Sequence, residues 1–105
     1  MRAAMDEKRK APRRRVLKEG KIVFADGKCL LDCTIRDMSD SGARLLITTT
    51  VGVPERFHLF QKSSGLFYLA RVVWRQAGAL GIRFEGPPTS INDVTDKRYA
   101  RLKVV

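Results

Sequence analysis

The pattern of this chain predicts an all-β fold, an antiparallel barrel or sandwich, on three observations. Six short segments alternate apolar and polar residues between positions 20 and 84. Glycine, proline, aspartate and serine punctuate the gaps between them. No amphipathic stretch of about 10–15 residues intervenes to act as a crossover helix, so neighbouring strands connect as hairpins. A length of 105 residues suits one domain with one core.

The first strand candidate is Gly20-Lys21-Ile22-Val23-Phe24-Ala25, which is short, apolar and β-branched. Asp26-Gly27 follows as a two-residue hairpin signal. The return strand runs from Cys29 to Arg36, with Leu31, Cys33 and Ile35 on one face and Asp32, Thr34 and Arg36 on the other. After a turn at Asp37-Met38-Ser39-Asp40-Ser41-Gly42, residues 43–48 alternate around Ala43, Leu45 and Ile47. Gly52 and Pro54 end that run.

Arg56 to Gln61 makes a fourth strand with Phe57 and Leu59 inward, which leaves His58 facing solvent. Lys62-Ser63-Ser64-Gly65 turns the chain into Leu66–Gln76, the longest strand. Ala77-Gly78 turns it again into Leu80–Phe84, where Leu80, Ile82 and Phe84 share a face. Pro87-Pro88 closes the β region. Ser90 with Asp93 predicts a capped, short C-terminal α-helix reaching about Leu102, although its amphipathic pattern is weak.

Charge narrows the choice of partner. The net charge is +10, and within residues 1–20 eight basic residues face three acidic ones, so half of the excess sits in the first fifth of the chain. Residues 1–15 therefore read as a flexible basic arm and residues 16–105 as the folded unit. Such an arm carries too much like charge and too little apolar surface to fold alone. It implies an anionic partner, whether nucleic acid, nucleotide, phospholipid or acidic protein. No apolar run approaches the ~18–20 residues of a membrane span. The N-terminus also lacks the apolar stretch of a signal peptide, so a cytoplasmic address is expected.

Cys29 and Cys33 stand four apart in one strand, ~13 Å at ~3.3 Å per residue, too far for a disulfide. With His58 as the single histidine, a Cys/His zinc site is not expected, and no cofactor is called for. The chain also lacks a Ser-His-Asp set, an apolar carboxylate pair and a glycine-rich phosphate loop, so the reading is of a non-enzyme.

Two motifs carry chemistry. Arg9-Lys10-Ala11-Pro12-Arg13 places two arginines four residues apart, and Pro12 favours an extended path at Ala11. Arginine forks bind phosphate oxygens bidentately and match the O6/N7 edge of guanine. In the turn motif, the Asp37 carboxylate can accept hydrogen bonds from guanine N1–H and N2–H₂. Ser39 can close the turn on the backbone or donate to a ligand. Gly42 supplies either a positive φ or a close backbone approach. These residues fit a ligand bearing phosphates and a guanine edge, and equally a short RNA.

With both motifs in this order around one hairpin, the chain resembles the PilZ family, β-barrel receptors for the bacterial second messenger cyclic di-GMP. Arg9 and Arg13 match the family's RxxxR; Asp37, Ser39 and Gly42 match its [D/N]xSxxG. The likeness extends through residues 15–22, 71–75 and 81–84 and spans most of residues 8 to 85. It implies a six-stranded antiparallel barrel with a C-terminal helix and a dinucleotide held on its outer surface. By that likeness Arg9 and Arg13 grip phosphates and guanine edges, Asp37 and Ser39 read a guanine, and Gly42 lets the loop approach the base. It also implies a downstream protein partner in motility, polysaccharide or biofilm control.

The alternative is a basic β-barrel that binds RNA or DNA. Such binders stack bases on surface aromatics. Here Phe24, Phe57, Phe67 and Phe84 fit core-facing positions, while Phe60, Tyr68, Trp74 and Tyr99 are scattered without a platform, and Trp74 reads as structural.

Overall fold

Period-2 alternation produces the strands, and the strands close on themselves. The computed structural model describes residues 17–104. The basic arm, with Arg9 and Arg13, lies outside the described residues. The strands are Lys18–Phe24 (β1), Cys29–Arg36 (β2), Gly42–Leu46 (β3), Arg56–Gln61 (β4), Leu66–Gln76 (β5) and Ala79–Phe84 (β6). Every neighbouring pair is antiparallel, in the order β4-β1-β2-β3-β6-β5, and pairing of β4 with β5 closes the ring. The result is a six-stranded barrel. A two-residue strand, Thr89–Ser90 (β7), pairs with Leu66 and Phe67 of β5.

Closure depends on the length of β5. Its first half, Leu66 to Arg71, pairs with β4, and its second half, Ala70 to Gln76, pairs with β6. The register shifts between Val72 and Trp74, a bulge that bends the strand around the corner. The inward residues are those the alternation selects: Ile22, Cys33, Ile35, Ala43, Leu45, Ile47, Phe57, Leu59, Leu80 and Ile82, with Tyr68 and Ala70 from β5. Both cysteines are free.

The structure corrects the expected β1–β2 turn. It is a four-residue loop rather than a two-residue Asp26-Gly27 turn, since Phe24 pairs with Cys29. Ala25, Asp26 and Gly27 all have positive φ, at 55°, 56° and 84°. The cause is tertiary: the C-terminal segment lies against this loop. A Cβ at Gly27 would sit 2.2 Å from the Arg98 carbonyl oxygen. The Arg98 guanidinium reaches Asp26 at 2.9 Å, and Arg101 donates to the carbonyls of Gly27 and Lys28 at 3.0 Å each.

The C-terminal helix is also different in kind. Two 3₁₀ segments, Ile91–Asp93 and Lys97–Val104, replace the expected α-helix. Ser90 caps the first, its hydroxyl accepting from the Asn92 N–H. Asp96 starts the second by accepting from the backbone N–H and guanidinium of Arg98, which holds its carboxyl down at about 2. Three residues per turn bring Tyr99 and Leu102 onto one side, toward the barrel.

Their target is a second core on the outside of the wall. Val23, Phe60, Phe67, Ile91 and Leu102 are buried together, with Tyr99 packed against them. Phe67 is therefore buried outside the barrel rather than within it. His58 does not face open solvent as expected: it stacks on Phe67 at 4.4 Å and meets Tyr99 edge-on at 5.4 Å. Burial, helped by Arg98, lowers its pKa. Strand alternation marks His58 as outward, but it carries no sign of a later segment covering that face.

Candidate functional site

The turn between β2 and β3 is held by its own side chains. Ser39 N–H donates to the Gly42 carbonyl at 2.9 Å, and the Ser39 hydroxyl accepts from Ser41 N–H at 3.3 Å. Ser39 thus closes the turn on the backbone while its hydroxyl stays at the surface beside that of Ser41, 3.2 Å away. Asp37 opens the turn with a φ of 49°, a left-handed conformation that aspartate tolerates better than most residues. Its carboxylate lies 3.1 Å from the Arg44 guanidinium across the hairpin.

Gly42 has one of the two roles expected of it. It does not need a positive φ. It permits close approach, since a Cβ there would stand 2.2 Å from the Ile82 carbonyl oxygen of β6. The positive φ falls on Asp37 instead.

Beside this turn is a groove of about 210 Å³ on the outer wall, bounded by Ser39, Ser41, Arg44, Trp74 and Arg83. Gly81 forms its floor. The Trp74 indole lies over that glycine so closely that a Cβ would fall 2.0 Å from its Nε1. Trp74 is thereby fixed flat against the wall, yet it stays 40% exposed. It is the only exposed aromatic among the described residues, so no row of stacking platforms forms there. Trp74 packs on the wall as a structural residue, and it also borders this groove, a position the sequence does not signal because the β5 bulge that turns it outward has no signature there.

A larger groove of about 470 Å³ continues along the wall over Thr34 and Leu46. Its rim is balanced by ion pairs, Lys21 with Asp32 and Lys62 with Glu19. The hydrogen bond from Lys21 lowers the pKa of Asp32. At its base Cys33 is buried, and its thiol is pushed up to about 12, which makes it inert. Around the turn motif arginines outnumber acids, of which Asp37 pairs with Arg44 and Glu85 with Arg71. Arg36 and Arg44 stand opposite each other, and Arg71 stands opposite Arg83.

The route of the chain ties the unseen motif to the seen one. β1 begins at Lys18, paired with Ile35, two residues before Asp37. Arg13 precedes Lys18 by five residues, a tether of at most ~18 Å, and Arg9 by nine, at most ~32 Å. The structure brings Asp37, Ser39 and Gly42 together, and the chain enters the barrel at the same rim. Among the described residues there is no His/Cys/Asp/Glu cluster able to hold a metal. No helix among them is long and apolar enough to cross a membrane.

A comparison with protein families matches the PilZ domain over residues 7–99. The matched span takes in both motifs. No curated protein matches the chain.

Proposed function

The chain belongs to the PilZ domain family of cyclic di-GMP receptors, which bind their ligand without catalysis, and on that premise we propose that it takes cyclic di-GMP against the outer wall of its barrel. In this reading Asp37 accepts from the N1–H and N2–H₂ of one guanine, and Ser39 adds its surface hydroxyl. Gly42 keeps the turn close enough for the base to settle on the wall. Arg9 and Arg13 supply forks for the phosphates and guanine edges. The exposed face of Trp74 gives a flat surface beside them.

The observation that carries this reading is where the chain joins the barrel. Lys18 pairs beside the turn motif, so the covalent tether is short enough for RxxxR to reach the rim that holds Asp37 and Ser39. A dianionic ligand offsets the repulsion within the arm and orders it over the wall. The surface made of arm, ligand and rim then engages a protein partner in the cytoplasm, in the control of motility, polysaccharide or biofilm.

Amide NMR tests the arm directly. Saturating cyclic di-GMP should shift and broaden or sharpen the signals of residues 8–16 together with those of Asp37–Gly42. Arm signals that stay unchanged while the turn signals move would remove the ordering step.

A further inference from the structure

We propose that Arg36 and Arg44 form a phosphodiester seat on the barrel wall, where a phosphate of the bound dinucleotide is held. The proposal rests on the ligand reading above and assigns residues that neither motif contains.

The two arginines face each other directly in the β2–β3 ladder. Both point outward, because Ile35 and Leu45 beside them are fully buried. Like charges directly opposite one another on a sheet repel, and an acid in one of the two places would relieve that. Here a single carboxylate serves the pair: Asp37 engages Arg44 at 3.1 Å. Arg36 has no acidic partner among the described residues. The Nε of each arginine is shielded from solvent and makes no hydrogen bond among the described residues. With each Nε shielded, the terminal nitrogens of the two forks are what a ligand meets, and a net charge of one after Asp37 is counted matches one phosphodiester.

The seat also links phosphate to base recognition. A phosphate bound between the forks takes over the charge of Arg44. That loosens its hold on Asp37 and frees the carboxylate to accept from guanine N–H groups. Arg36 and Arg44 therefore act on the same ligand as Asp37, and binding of one end favours binding of the other.

Calorimetric titration of the full chain with cyclic di-GMP, paired with ³¹P NMR of the bound ligand, tests this. Arg36→Gln is the informative variant, since Arg36 orients no acid; Arg44→Gln and Arg36→Lys accompany it. Each glutamine variant should weaken binding at least tenfold with little change in melting temperature, and the bound phosphorus resonance should move. Arg36→Lys, which keeps stem and charge but loses the fork, should recover only part of the affinity. It also covers the case of a glutamine variant that fails to fold. Binding within twofold of wild type in all variants, with the phosphorus resonance unmoved, would overturn the seat and leave the ligand reading intact. Absence of any binding by the wild type would overturn the ligand reading and the seat with it.

Discussion

At Gly42 the backbones of β3 and β6 approach so closely that a methyl group would collide with the Ile82 carbonyl at 2.2 Å. Gly42→Ala is expected to force the two strands apart and cost about 1–3 kcal/mol, read as a lower midpoint in urea. Ser39→Ala removes only long side-chain hydrogen bonds of 3.2–3.5 Å from the turn and should cost within about 1 kcal/mol, yet it should weaken cyclic di-GMP binding. The pair separates folding from recognition. His58 gives a second expectation, from linkage. Burial lowers its folded pKa, so the unfolded chain, with a histidine near ~6.5, binds the proton more readily. Stability from this group is complete above about pH 6.5 and drains away as pH falls below it toward the folded value. Isothermal urea unfolding between about pH 5 and pH 7 should show that slope for wild type and a flatter one for His58→Phe. Equal slopes would mean the imidazole titrates alike in both states. Which residues face inward on each strand is legible in the sequence, because burial follows a period of two. The partners of those that face outward are not: His58 is covered by Tyr99 from a distant segment, which nothing in its own strand marks.

The elements divide in the same way. β4 and β5 have the bounds that alternation gives them, and β2 begins and ends as read. The β1–β2 loop and the C-terminal segment do not follow their local signals, because each shapes the other through Arg98 and Arg101. A two-residue turn signal at Asp26-Gly27 gives way to three successive left-handed residues where those contacts require them. The C-terminal segment seals a second core through Leu102, which is 2% exposed. Leu102→Ala should cost about 2–5 kcal/mol, measured by chemical denaturation. Cyclic di-GMP affinity should change little in the folded variant, since this cover lies over β1, β4 and β5, and β4 stands opposite β3 in the ring. A large affinity loss would mean that the cover and the turn motif are coupled through the wall.

For the whole molecule, residue pattern alone left barrel and sandwich both open. The choice is made by β5, which is long enough to pair with β4 at one end and β6 at the other. The site was legible in part for a related reason. Asp37, Ser39 and Gly42 lie within six consecutive residues, so their turn can be read locally, whereas Trp74, Arg44 and Arg83 reach the groove beside it from β5, β3 and β6. Only the long-range pairing of β3 with β6 brings Arg44 beside the other two. A net charge of +10 favours any polyanion, and it does not by itself separate a nucleotide from a nucleic acid. Asp37 does, because a guanine edge needs its carboxylate as acceptor, whereas binding driven by net charge alone gains from its removal. The most direct measurement is therefore calorimetric titration of wild type and Asp37→Ala with cyclic di-GMP and, separately, with a short single-stranded RNA. The account predicts saturable cyclic di-GMP binding that Asp37→Ala abolishes, and weak RNA binding that the substitution leaves unchanged or strengthens. Tight, steeply salt-dependent RNA binding with no uptake of cyclic di-GMP would contradict it.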